Sequence, residues 1–315
     1  MTTALISHAD CLNHQTPAGH PERSGRMATL MRIFEGLTMD GLVRLEAPLC
    51  DDEAILRAHP RAYIDRLEKC RPDSGYVSLD PDTHMSPGSM AAARRAAGAN
   101  VLAVDLVLSR EVDNAFCAVR PPGHHAEAER AMGFCLLSNV FIGAMHALER
   151  HGLDRVGILD FDVHHGNGTS ALAWADERVF FASSHEMPLF PGTGHATETG
   201  AHGQIVNVPL ASRSGSAEFR SAWHDHILPA LDQHKPQCVF ISAGFDAHSR
   251  DPLATLNLSE SDFAWATDAI CDIADTHCSG RVVSTLEGGY DLQALAACVE
   301  AHLNSLCGRA PGNRR

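Results

Sequence analysis

Short, largely apolar runs recur along this chain between longer segments of mixed polarity. Six stand out, at 115–119, 156–159, 179–182, 205–208, 238–242 and 282–286, most of them rich in β-branched or aromatic side chains. Runs this short and this continuous read as strands buried on both faces. Helix-length patterns over 89–109, 136–150, 216–233 and 260–275 precede the first, second, fifth and sixth of them. Ser216 and Ser259 are candidate N-caps, because a serine oxygen can accept an orphan amide hydrogen of the first turn. Strands alternating with helices predict an α/β fold: a mostly parallel sheet with helices on both faces. No repeat, low-complexity tract or Gly/Ser linker divides the chain, so one domain is expected over residues 1–315, with 309–315 as a loose tail.

Polar clusters follow the strands. Arg120-Pro-Pro-Gly-His-His-Ala126 comes after the first run, Asp160-Phe-Asp-Val-His-His-Gly-Asn167 after the second, Ala243-Gly-Phe-Asp-Ala-His248 after the fifth and Glu287-Gly-Gly-Tyr-Asp291 after the sixth. In a parallel sheet all carboxyl-end loops open on one edge, where ligands bind, so four clusters are expected to converge.

Their chemistry suits a catalytic metal. Asp162 and His164 lie two residues apart on a segment expected to be extended, which would put both side chains on one side. Asp246, from another strand end, can supply a third ligand, and an Asp/His/Asp set leaves room for water and substrate, as a catalytic zinc requires. Taken alone, an Asp-x-His is more often a pair that bonds loop amides; convergence with Asp246 and paired histidines favours the metal. His124 and His125, presented by a rigid Pro-Pro-Gly turn, can act as general base and acid near neutral pH. Asp160 and Asn167 flank the metal loop, and either could hold an imidazole tautomer. A carboxylate raises its partner's pKa and an amide does not, so the two histidines should differ in basicity. Tyr290, after Gly288-Gly289, could donate to a developing oxyanion.

Charge and cysteine usage narrow the partners. The 25 basic and 39 acidic residues leave a net charge of −14, which disfavours a nucleic-acid grip and favours cationic small molecules or basic peptides. The run 131–148 lacks charged residues, but Ser138, Asn139 and His146 interrupt it, so a buried helix is expected rather than a membrane span. The first ten residues lack the basic patch and apolar run of a secretory signal. Ten cysteines are scattered without a C-x-x-C pair, which fits reduced thiols in a cytoplasm.

Taken with Gly133-Phe134-Cys135, Phe190-Pro-Gly-Thr-Gly194 and His20-Pro-Glu-Arg23, these motifs resemble the histone deacetylase superfamily, in particular its class II-like bacterial amidohydrolases and acetylpolyamine amidohydrolases. The resemblance spans nearly the whole chain. It implies a single-domain arginase/deacetylase-like fold around an eight-stranded sheet. It also implies one zinc ion on Asp162, His164 and Asp246, proton transfer by His124 and His125, and oxyanion stabilisation by Tyr290. From the same resemblance come a tunnel walled by Phe134 and Phe190, the Gly133 carbonyl as acceptor for the substrate amide hydrogen, and a potassium site. That site would use main-chain oxygens of Asp160, Asp162, His164 and Ser184 with the Asp160 carboxylate and the Ser183 hydroxyl.

Asn167, where nuclear members carry aspartate, resembles the class II-like branch. Leu253 stands where animal polyamine deacetylases place a glutamate gatekeeper, which weakens a polyamine reading. The implied reaction is hydrolysis of an acetyl-lysine-type amide; an acetylpolyamine or other small amide is the alternative substrate. Bacterial relatives of this kind are often dimers or tetramers, so a homo-oligomer is compatible. Arginase-like enzymes use two manganese ions and need carboxylates where this chain has Gly166 and His248. A non-catalytic acyl-lysine reader would be favoured by loss of Tyr290 or a ligand, and none is lost.

Overall fold

The computed structural model describes residues 1–309. The chain opens with β1 (Thr3–Ser7), a 3-10 turn, α1 (Ser24–Gly36), β2 (Leu42–Glu46), α2 (Asp52–Ile55), α3 (Arg61–Cys70) and a small ribbon of β3 (Val77–Ser78) and β4 (His84–Met85). Next, α4 (Ser89–Leu108) leads into β5 (Asn114–Cys117), α5 (Asn139–Glu149) into β6 (Val156–Asp160), and α6 (Asn167–Ala173) into β7 (Val179–Glu186) and β8 (Ile205–Leu210). Then α7 (Ser216–Ala222), a π-turn at Trp223–Ile227 and α8 (Leu228–His234) precede β9 (Val239–Ala243); α9 (Glu260–Cys278) precedes β10 (Val282–Leu286), and α10 (Leu292–Cys307) follows.

Eight strands form one sheet in the order β2-β1-β5-β10-β9-β6-β7-β8, with every neighbouring pair parallel. Every residue of β5, β6, β7, β9 and β10 is buried, which is why these strands read as unbroken apolar runs. On one layer α4 and α5 pack together over the sheet, and α9 and α10 pair in another. The result is a single α/β domain whose one hydrophobic core reaches from Ala4 to Leu306. β5, β10, β9 and β6 are consecutive neighbours, so the four polar clusters do emerge side by side.

Several local expectations change. β1 and β2 join the sheet unannounced; β2 is an edge strand, Leu-Val-Arg-Leu-Glu, whose exposed positions break any apolar run. The helix expected over 136–150 starts at Asn139, with Ser138 outside it at a non-helical φ/ψ of −80°/79° and its amide donated to His59 Nε2 at 2.9 Å. Ser259 does cap α9, with Asp262 reaching back to its amide at 3.0 Å. Ser216 does not cap α7. Gly215 takes that place, its amide bonded to Glu218 at 2.9 Å, while the Ser216 hydroxyl donates to Asp262 at 2.7 Å. Arg309, assigned to the loose tail, is tied to Asp272 and Asp275; residues 310–315 lie outside the described residues.

Candidate active site

Asp160 ends β6, and the chain then bends through Asp162, Val163 and His164 instead of staying extended. The bend is held by its own carboxylates. Asp160 Oδ1 accepts the Asp162 amide at 3.0 Å, and Asp162 Oδ1 accepts the His164 amide at 2.9 Å. Asp246, after β9, accepts the Val163 amide through Oδ1 at 2.9 Å. Ligand atoms of Asp162, His164 and Asp246 therefore lie within 4.8 Å of one another, all buried. His164 Nδ1 is 3.1 Å from Asp162 Oδ1 and 3.2 Å from Asp246 Oδ2, yet Asp246 Oδ2 accepts no hydrogen bond.

Two buried carboxylates and one imidazole with an orphaned oxygen make a site that demands positive charge. Burial alone would lower the His164 pKa; the hydrogen bond to Asp162 and the nearby Asp246 carboxylate outweigh it and push it up to about 10. A divalent cation answers the same demand with these donors, so the residues fit a metal. Two glycines make room. A Cβ at Gly288 would stand 2.1 Å from Asp246 Oδ2, and one at Gly244 would stand 2.0 Å from Asp162 Oδ2.

The histidine pair sits beside this set, ring centroids 3.9 Å apart. His124 Nδ1 is 3.0 Å from Asp160 Oδ2, and His125 Nδ1 is 2.7 Å from Asn167 Oδ1. Because Asn167 gives its amide hydrogens to Glu127 at 2.9 Å, its oxygen faces His125 and fixes the proton on Nδ1. Burial opposes charge on both rings. At His124 the carboxylates of Asp162 and Asp160 outweigh it and hold the pKa well above the usual value. At His125 burial, joined by the charges of His124 and His164, drives the pKa well below. The difference expected from an acid and an amide partner is present.

Above the ligands a cavity of about 200 Å³ is lined by His125, His164, Gly133, Phe134, Phe190, Leu253 and Tyr290, together with Leu189 and Asp82. The Phe190 ring meets His125 edge-on at 5.1 Å, and Phe134 meets Tyr290 at 5.9 Å. A Cβ at Gly133, where φ is +55°, would lie 2.4 Å from the His125 ring, so glycine is required. Phe134 also adopts a left-handed φ of +69°, with its amide held by Thr83 at 3.0 Å. The Gly133 carbonyl accepts the Cys135 thiol at 3.2 Å. Burial raises the Tyr290 pKa well above 10, which keeps its hydroxyl a donor. On the sheet, Ser183 pairs with Asp160 across β6 and β7, with Ser184 next to it; the Ser184 hydroxyl accepts from Trp223 at 2.9 Å.

Sequence reasoning missed the scaffold around these groups. Arg26 Nε donates to the Gly289 carbonyl at 2.6 Å and Nη2 to that of Glu287 at 2.5 Å, and its guanidinium stacks on Tyr290 at 5.0 Å. Glu22 holds both Arg26 and Arg120, and Glu287 accepts the amides of Gly123 and His124. Asp251 accepts the Tyr290 amide at 2.7 Å. A signal existed for part of this: Glu22 and Arg26 are spaced i,i+4, and Arg120 ends an apolar run where only a buried acid could match it. Position 248 turns away, with His248 Nε2 3.4 Å from Glu260, and a side chain at Gly166 would meet Asp160 at 2.3 Å.

Comparison with known proteins places the chain among histone deacetylase-like proteins along most of its length. The description of the histone deacetylase domain matches residues 20–306. The chain is 39% identical to a histone deacetylase-like amidohydrolase of Pseudomonas aeruginosa, over 92% of this chain and 78% of that protein. It is 37% identical to a probable deacetylase of Archaeoglobus fulgidus, over 93% and 82%. Among solved structures, the HDA15 HD domain superposes with a TM-score of 0.91 at 31% identity, covering 98% of this chain and 90% of that one.

Proposed function

The chain belongs to the histone deacetylase family, and from that premise we propose that it is a zinc-dependent deacetylase acting on acetyl-lysine-type amides. The observation that carries the reading is the buried Asp162/His164/Asp246 set, with its orphaned oxygen, at the floor of a cavity that His125 and Tyr290 also line. An ion held there, when bound, supplies Lewis-acid polarisation of a carbonyl and an acidified water. The protein's own groups do the rest. His125, neutral and exposing Nε2, takes the proton from the attacking water and returns it to the leaving amine. His124, kept cationic by Asp160, steadies the negative charge that develops. Tyr290 donates its hydroxyl to the oxygen of the former carbonyl. Phe134 and Phe190 wall the acyl-amine stem, Leu253 closes one side, and the Gly133 carbonyl orients the amide N–H.

A structural potassium ion on Asp160, Asp162, His164, Ser183 and Ser184 is part of the same reading, supported by the adjacency of Asp160 and Ser183 in the sheet. None of the ten cysteines is paired, which supports a reducing, cytoplasmic setting, and among the described residues no helix is long and apolar enough to cross a membrane. Asp82 on the cavity wall favours one second reading, a small acetylated polyamine with a cation beyond the amide.

The test is turnover of a fluorogenic acetyl-lysine peptide beside N-acetylputrescine. Activity lost on chelation and restored by zinc is expected, with the peptide preferred by kcat/KM. Zinc-loaded protein inert towards every acyl amide would refute the proposal.

A further inference from the structure

A second constellation of metal-binding side chains lies far from the site above. Asp105 in the last turn of α4, His146 in the last turn of α5 and His151 just beyond it bring ligand atoms within 4.8 Å of one another. Both helices end just before their strands, β5 and β6, enter the sheet. The cluster therefore sits at the amino-terminal edge, opposite the edge that carries Asp162 and His164. Asp105 Oδ1 is 2.8 Å from His146 Nε2 and 2.7 Å from His151 Nε2, with the two rings edge-on at 5.3 Å.

The surroundings suit a cation. Two helix C-termini converge here, each with a partial negative charge. Arg57 is the competing group: its Nη1 lies 3.1 Å from His146 Nδ1, while its charge is already matched by Glu53 at 2.8 Å and Glu149 at 3.5 Å.

We propose that Asp105, His146 and His151 bind a divalent ion with a preference for imidazole and carboxylate, of the Zn²⁺ or Ni²⁺ type, with water completing the shell. A tetrahedral ion with bonds of about 2.0–2.1 Å holds its ligands roughly 3.3 Å apart, so the two contacts open by about half an ångström. The Asp105 side chain, 46% exposed, and His151, in the loop after α5, have room to do so. Coordination at Nε2 leaves the His146 proton on Nδ1, facing Arg57, which withdraws onto Glu53 and Glu149. Arg57 thus weakens the site, and its removal strengthens it. The ion staples the ends of α4 and α5 and touches no substrate.

The test is metal content per chain after stripping, loading with Zn²⁺ and desalting, together with calorimetric titration by Ni²⁺. The wild type is expected to hold one ion more than His151→Ala or Asp105→Asn, with amide turnover within about twofold of wild type, since neither residue belongs to the catalytic machinery. Arg57→Ala is expected to bind Ni²⁺ more tightly, and His151→Cys to retain the extra Zn²⁺. Equal metal content in the wild type and both ligand variants, each folded by circular dichroism, would overturn the proposal.

Discussion

His124 and His125 share one turn and one buried environment, yet a carboxylate faces the first and an amide the second. At His124 the carboxylates of Asp162 and Asp160 outweigh burial, while at His125 burial and the charges of His124 and His164 outweigh the Asn167 hydrogen bond, so the first ring carries the proton at neutral pH. Asn167→Asp would place a negative charge 2.7 Å from His125 Nδ1 and raise a pKa now held low, so less of the neutral base is present at a given pH. The acid limb of the kcat/KM profile is expected to move up by about one unit. A profile that does not move would count against His125 as the base. Tyr290→Phe is expected to lower kcat by roughly 10²–10³ with KM within a few-fold, because in the proposed role the hydroxyl bonds an oxygen that is charged only in the transition state. Steady-state kinetics decide, and a pure KM effect would remove that role.

At the scale of elements, the loops after β5, β6, β9 and β10 interlock through backbone amides given to carboxylates. Gly288 donates to Asp162 Oδ2 at 2.8 Å, Val163 to Asp246, and Gly123 to Glu287. Such contacts leave no space for a methyl group at the turn before Tyr290. Gly288→Ala would set a Cβ 2.1 Å from Asp246 Oδ2 and 2.6 Å from Asp162 Oδ2. On the zinc reading proposed above, the variant is expected to hold less zinc than the wild type while keeping its far-UV circular dichroism; normal zinc content by atomic emission would show that the loop can yield. The strand ends that carry these carboxylates were legible because each ends an apolar run in a cluster of reactive residues. Gly215 as the α7 cap and the bend at 162–164 were not, since each depends on a bond made after the chain has turned.

For the whole molecule, buried neutral histidines make one destabilising contribution in acid, opposed by buried carboxyls such as Glu287 and Asp251, whose pKa values burial pushes up to about 7. His59 and His302 are buried in different parts of the domain, and desolvation lowers their pKa values to about 4 and about 3. His302 is satisfied while neutral, between Thr267 at 2.7 Å and Ser284 at 2.8 Å. In the unfolded chain both titrate near 6.5, so the unfolded state takes up protons first as pH falls. Their contribution is complete above about pH 6.5 and is lost progressively towards pH 4, on the order of 3 kcal/mol for each. Between pH 7.5 and pH 5 the urea midpoint of His302→Gln is expected to lose less than that of the wild type. Equal changes in the two would mean that this ring takes up its proton without unfolding.

Residue order picks out, without a structure, the fold class, the runs that become the central strands and the residues at their ends that are expected to serve as metal and proton-transfer groups. Local periodicity and residue chemistry are properties of neighbours along the chain, and neighbours along the chain are what a sequence displays. Tertiary structure alone decides who faces whom. Asp160 is assigned to His124 and Asn167 to His125 across gaps of 36 and 42 residues, Arg26 reaches the Tyr290 turn from 263 residues away, and Asp82 arrives on the cavity wall from a loop with no strand-end signature. Those pairings follow from the β5-β10-β9-β6 neighbourhood, and strand order is chosen by how the faces of the whole sheet are covered, which no local pattern records.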